Sequence, residues 1–203
     1  MIVIIDYGMG NLKSVYNAFK YIECEAKISS DIEELRKADA LVLPGVGAFK
    51  DCMDNLKRTG LCNVIKEEVE KGKTLLGICL GMQVLFEKGF EVEETNGLGL
   101  LKGEVRKMVE PNEKIPHIGW NNLEKYREDL LVDGIEENSY VYYVHSYYAQ
   151  NYREEDLVGY STYGNLKIPG LVRRKNVMGA QFHPEKSGED GLKILRNFKE
   201  MVL

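Results

Sequence analysis

The sequence predicts an α/β fold, with a mostly parallel central sheet, flanking helices and an antiparallel extension in the second half. Three observations predict it. Short apolar runs alternate with helix-like segments through the first half of the chain, the βαβ signature of a parallel sheet. Those runs are continuous in their apolar character, as in strands covered on both faces. Beyond residue 100, strand-like runs follow one another with only short turns between them.

The elements follow in order. Residues 2–6, Ile-Val-Ile-Ile-Asp, read as a buried strand. Leu12, Val15, Tyr16, Phe19 and Ile22 recur at helical spacing and mark one apolar face. A short strand is expected at about 24–28. Ser30 with Glu33 three residues on has the form of a capping box opening a short helix. Residues 40–43 form a strand ending in Pro44-Gly45-Val46-Gly47, and helices are expected over about 49–71. A strand at 74–78 runs into a helix at 80–88.

In the second half, Val105, 117–123, 140–149, 157–163, 170–174 and 177–182 read as strands. Arg173-Arg174-Lys175 reads as a solvated hairpin turn. A final helix at about 189–202 turns Leu192, Leu195, Phe198 and Val202 inward. No linker divides the chain, so residues 1–203 are expected to form one domain.

Composition narrows the function. The chain has 203 residues, 44% of them apolar and 29% charged, with a net charge of −5. That balance suits a soluble globular protein and argues against a broad nucleic-acid surface. No run approaches the roughly 18 apolar residues needed to span a bilayer. The first residues have neither the basic start nor the cleavage site of a signal peptide. The four cysteines, Cys24, Cys52, Cys62 and Cys79, lack disulfide-framework spacing, which implies reduced thiols and a cytoplasmic location. With only three histidines and no zinc-ligand spacing, no metal site or cofactor is expected.

The chemistry concentrates at Gly77-Ile78-Cys79-Leu80-Gly81, where a strand turns directly into a helix. This is the thiol form of the G-x-S-x-G nucleophile elbow. The turn lifts the thiol above the carboxyl ends of the parallel strands, where such sheets bind ligands. A small buried hydrophobe is the bland alternative, and it is the better reading for Cys24, Cys52 and Cys62.

His183 lies in Gln181-Phe182-His183-Pro184-Glu185, at the end of a strand. Residues i and i+2 of an extended segment point the same way, so Glu185 is expected beside His183. A carboxylate there would fix the imidazole tautomer and stabilise the imidazolium. His145, in an aromatic strand, and His117, after Pro116, are the weaker rivals for the base. Gly45, Val46 and Gly47 form a flexible loop after a strand. The N–H of Leu80 and one from that loop are the candidate oxyanion donors, against the simpler reading of a plain strand-to-helix turn.

Taken together, PGVG, GICLGMQ and HPE resemble the class I (triad) glutamine amidotransferases. Asp6–Val15, Pro44–Phe49, Gly77–Phe86, Pro116–Asn121 and His183–Ser187 further resemble, within that class, the glutaminase subunits of imidazole glycerol phosphate synthases. The resemblance implies the class I amidotransferase-like fold and the hydrolysis of glutamine to glutamate and ammonia. It implies Gly47, Gln83, Glu91, Ser146 and Tyr147 as glutamine contacts. It also implies a (β/α)8-barrel cyclase partner in a heterodimer, contacted through Asn11, Trp120, Asn121 and Lys186. Core packing for Trp120 and a solvated charge for Lys186 are the plainer readings. Glutaminase subunits of anthranilate or aminodeoxychorismate synthesis tend to carry His where Met82 stands. A catalytically silent subunit of the same fold competes, disfavoured by the complete Cys79, His183 and Glu185 set, as does a stress-type cysteine hydrolase, disfavoured by the His183-Pro184-Glu185 spacing and the Pro44–Gly47 loop.

Overall fold

The computed structural model describes residues 1–137 and 139–202. Thirteen strands and six α-helices are present among the described residues. The strands are β1 (Ile2–Ile5), β2 (Ala26–Ser29), β3 (Ala40–Gly45), β4 (Thr74–Cys79), β5 (Lys88–Gly89), β6 (Thr95–Asn96), β7 (Glu104–Lys107), β8 (His117–Lys125), β9 (Ser139–His145), β10 (Tyr147–Gln150), β11 (Leu157–Tyr163), β12 (Leu166–Arg174) and β13 (Val177–Ala180). The helices are α1 (Leu12–Tyr21), α2 (Ile32–Lys37), α3 (Phe49–Arg58), α4 (Leu61–Glu70), α5 (Leu80–Gln83) and α6 (Gly188–Glu200).

Nine strands form the main sheet, in the order β2-β1-β3-β4-β13-β12-β11-β8-β9. The first five run parallel, and from β12 onward each neighbour pairs antiparallel. Alternation along the parallel strands splits the core in two. Val3, Ile5, Leu41, Leu43 and Leu75 face α2, α3 and α4 with Leu35, Phe49, Leu56 and Ile65. Ile2, Ile4, Val42, Leu76 and Ile78 face α1 and α6 with Val15, Phe19, Leu195 and Phe198. Both faces are thus covered, which is why these strands read as unbroken apolar runs. A third cluster, with Leu123, Tyr143, Ile168 and Phe182, lies under the antiparallel strands.

Three local expectations differ from the structure. The N-cap of α2 is Asp31, not Ser30: its Oδ1 accepts the backbone N–H groups of Glu33 and Glu34 at 2.8 and 3.1 Å. The helices expected over 49–71 are present as α3 and α4, which meet at Gly60, whose φ of 76° no β-carbon-bearing residue adopts comfortably. The helix after Cys79 is a single turn, Leu80–Gln83, because the chain then folds back into β5. The segment 140–149 is two strands in different sheets. Ser146 separates β9, in the main sheet, from β10, which joins β7, β5 and β6 in a four-stranded sheet that periodicity did not reveal. Strands of two residues, such as β5 and β6, are too short to carry a pattern.

Candidate active site

Cys79 ends β4 and opens α5 with φ 55° and ψ −112°, outside the regions a residue with a β-carbon normally occupies. Such a conformation costs on the order of 1–3 kcal/mol and persists only where the surroundings impose it. They impose it here through close packing. A β-carbon on Gly81 would lie 1.7 Å from the Leu43 carbonyl oxygen, and one on Gly77 would lie 2.5 Å from the Gly81 oxygen. The two glycines therefore let α5 sit directly on β3 and β4, which forces the sharp turn at Cys79. Because α5 is one turn long, any stabilisation of a thiolate comes from its first N–H groups rather than from a long helix dipole.

The elbow opens into a cleft of about 280 Å³ lined by Val46, Gly47, Cys79, Leu80, Gln83 and Glu91 on one side and Val144, His145, Ser146, Tyr147 and His183 on the other. It lies at the carboxyl ends of β3, β4 and β13. Gly45 is not part of this lining: it pairs with Cys79 inside the sheet, and a β-carbon there would fall 2.8 Å from the Gly81 nitrogen. Val46 and Gly47 alone bring the loop to the cleft, Gly47 with φ 100°.

His183 follows β13 and enters the cleft beside Cys79. Its backbone N–H donates to the Tyr142 carbonyl at 2.9 Å. Its Nδ1 lies 2.8 Å from Glu185 Oε1, both side chains being almost wholly buried. Nε2 of His183 is buried without a hydrogen-bond partner at ordinary length, as is Oε2 of Glu185. Burial works against a charged His183, but the neighbouring Cys79 and the hydrogen-bonded Glu185 outweigh it and raise the imidazole to about 9. The expected alignment of residues i and i+2 in a strand is not the cause of this pairing. Pro184–Lys186 is a 3-10 turn, and the turn swings Glu185 back under the imidazole.

Gln181 is a neighbour that the sequence reading missed. It is fully buried, and its Nε2 lies 3.9 Å from Cys79 Sγ while its Oε1 accepts from Gln83 Nε2 at 3.1 Å. Its spacing of two residues from His183 was the available signal. Tyr7 was also missed: its hydroxyl donates to the Pro44 carbonyl at 3.0 Å and ties down the start of the loop. Glu91 accepts the Phe49 N–H at 2.9 Å, so its carboxylate caps α3 at the edge of the cleft.

The remaining predicted residues lie beyond the cleft. Trp120 is 55% exposed, so it is not core, and its ring reaches toward Gly188. Lys186 is exposed in the 3-10 turn, against which α1, headed by Asn11, packs. Asn121 points the other way from Trp120, its Nδ2 donating to the Thr162 carbonyl at 2.9 Å. Among the described residues, no group of three or more His, Cys, Asp or Glu side chains is placed to hold a metal ion. No helix of the described residues is long and apolar enough to cross a membrane.

A strained cysteine elbow, a carboxylate-backed histidine and a glycine loop at one sheet edge define a class. The chain belongs to the class I glutamine amidotransferase family, whose pattern matches residues 3–201. Two solved structures share its fold: one described as a glutamine amidotransferase (TM-score 0.79, 22% identity, 100% of this chain and 99% of that one) and PurLQS from Thermotoga maritima (TM-score 0.78, 22% identity, 100% and 98%). Within the family it is similar along its full length to HisH subunits of imidazole glycerol phosphate synthase. The chain is 55% identical over 201 residues to that of Lactococcus lactis subsp. lactis (strain IL1403), covering 99% of this chain and 98% of the relative. It is 52% identical over 202 residues to that of Caldanaerobacter subterraneus subsp. tengcongensis, covering 100% and 98%.

Proposed function

We propose that this chain, acting as one amidotransferase domain, is the glutaminase subunit of an imidazole glycerol phosphate synthase in histidine biosynthesis. Cys79 is the nucleophile, His183 the base and Glu185 the orienter of the base. His183 takes the thiol proton as Sγ attacks the glutamine carboxamide carbon, and returns it to the departing nitrogen as the C–N bond breaks and ammonia leaves. Water, deprotonated by His183, then attacks the glutamyl thioester; the C–S bond breaks and glutamate is released. The Leu80 N–H and an N–H of the Val46–Gly47 loop receive the oxyanion. Gly47, Gln83, Glu91, Ser146 and Tyr147 hold the glutamine.

The ammonia passes to a separate (β/α)8-barrel cyclase, which makes imidazole glycerol phosphate and an aminoimidazole carboxamide ribotide. Asn11, Trp120 and Lys186 belong to the partner surface, and Asn121, its side chain turned away from Trp120, braces the strand behind it. The exposed Trp120 and Tyr140 supply apolar area beside Ser187 and Gly188, which follow the 3-10 turn. The single observation that carries this reading is the Cys79 elbow opening onto a buried His183–Glu185 pair in a chain 55% identical to a HisH subunit.

The test is the glutaminase rate of the chain alone, with the barrel subunit, and with that subunit plus its nucleotide ligand. A stepwise rise is expected, with glutamine-dependent cyclase activity appearing in the complex. Losing one oxyanion donor typically costs on the order of 100- to 1,000-fold, which sets the activation a loop rearrangement can deliver. Full turnover by the isolated chain would show that the loop is a fixed oxyanion hole and that the partner does not switch it.

A further inference from the structure

Two of the three histidines play no part in the chemistry above, yet both are buried, His117 at 2% and His145 at 6% exposure. They face each other across β8 and β9 as register partners. His117 Nδ1 lies 3.0 Å from His145 Nε2. The His117 ring is stacked between Tyr143 and Tyr163, with centroids 4.6 and 4.0 Å away.

The protons on this pair are fixed from both ends. At one end, His145 Nδ1 stands 2.9 Å from the Tyr147 carbonyl oxygen, which can only accept. Nδ1 therefore carries the proton, and Nε2 of a neutral ring is an acceptor. At the other end, Asn121 Oδ1 accepts the Asn122 N–H at 2.9 Å and Asn121 Nδ2 donates to Thr162, which settles the orientation of that amide. Its Nδ2 also approaches His117 Nε2 at 3.4 Å, so Nε2 accepts and Nδ1 of His117 carries the proton. The two ends demand the same polarity, and a second proton on either ring would set two donors against each other.

The Tyr147 carbonyl where this chain of hydrogen bonds ends also accepts from Gln83 Nε2 at 2.9 Å, and the second hydrogen of Nε2 goes to Gln181. Both donors of Gln83 are thereby committed to the protein, and its Oε1 is left as an acceptor for an N–H of the ligand. We propose that His117 and His145 are positioning residues, a neutral, doubly anchored imidazole pair. The pair holds the Tyr147 carbonyl, and through it the acceptor polarity of Gln83, toward the glutamine in the cleft. The proposal rests on the glutaminase reading given above. Burial keeps both rings uncharged, His117 lowered to about 4 and His145 to about 3, so the pair persists across the neutral range.

Nitrogen-15 NMR of the histidine-labelled chain at pH 7 tests the pair directly. Both rings are expected neutral with the proton on Nδ1, the less populated tautomer of free histidine. An Nε2–H or imidazolium form of either ring overturns the proposal. In the complex with the barrel subunit, His117→Leu should raise the KM for glutamine by about tenfold, with kcat within about threefold. His117→Asn, which keeps a donor near the Nδ1 position, should stay within about threefold of the parent in both. Equal losses in the two variants, or a loss confined to kcat, would assign the pair a purely structural role. A parent complex without glutaminase activity would instead overturn the function proposed above, and the tautomers, read on the isolated chain, keep the two failures apart.

Discussion

His183 Nδ1 and Glu185 Oε1 stand 2.8 Å apart, with Pro184 between them opening a 3-10 turn. The turn is itself held: Ser187 Oγ donates to the His183 carbonyl and accepts the Tyr142 N–H at 2.9 Å. Glu185 thus reaches the imidazole from a rigid support, and in the proposed mechanism it positions and stabilises the base. His183→Ala is expected to abolish measurable turnover in the complex, whereas Glu185→Gln should retain at least about tenfold more activity than His183→Ala. Steady-state kinetics with the barrel subunit checks this. The roles are wrong if Glu185→Gln is the more damaging change.

The elbow should be intolerant of one added carbon. Gly81→Ala places a methyl 1.7 Å from the Leu43 oxygen, and backbone cannot move aside as a side chain tip can. A loss of more than about 3 kcal/mol in folding stability is expected, read by denaturant unfolding. Gly72→Ala is a fair control, since its added carbon meets nothing within 4 Å although its φ of 98° carries strain.

The histidines should shape stability against pH in opposite directions. His183 is raised in the folded state from 6.5 to about 9. Its contribution is therefore fully present below pH 6.5 and is lost as pH rises through 9. His117 and His145 are lowered from 6.5 to about 4 and about 3, so the unfolded chain binds their protons first and stability falls as pH drops below 6.5. Each unmatched proton changes stability by about 1.4 kcal/mol per pH unit. Unfolding free energies measured from pH 5 to 10 should show the alkaline slope diminished in His183→Ala and the acid slope diminished in His117→Asn.

Gln181 is expected to matter although it sits behind the cleft. Gln181→Leu removes the donor near Cys79 Sγ and the acceptor for Gln83. A drop of about tenfold in kcat/KM is expected, with little change in far-ultraviolet circular dichroism. Unchanged kinetics would mean that Gln83 is held by Tyr147 alone.

The parallel half of the fold was legible in the sequence because burial on both faces writes an unbroken apolar run, as in Ile2–Ile5 and Ala40–Leu43. Cys79 was legible because only glycine fits at positions 77 and 81. The break at Ser146 was not, since both β9 and β10 are aromatic-rich and only tertiary pairing separates them. The extent of α5 was missed because Val84, Leu85 and Phe86 continue an apolar pattern, yet their backbone turns away to meet Leu98, Gly99 and Leu100. For Gln181 the two-residue spacing from His183 was the one local signal, whereas its contacts with Cys79 and Gln83 and the His117–His145 pairing join strands far apart in sequence.

The most direct measurement of the central claim is mass spectrometry of the complex with the barrel subunit after treatment with a glutamine-mimicking electrophile. All four cysteines are free and buried, so burial alone does not single one out. The account predicts one adduct, on Cys79, formed in step with the loss of glutaminase activity and prevented by excess glutamine. Labelling of Cys24, Cys52 or Cys62 in its place, or full glutaminase activity in Cys79→Ala, would contradict it.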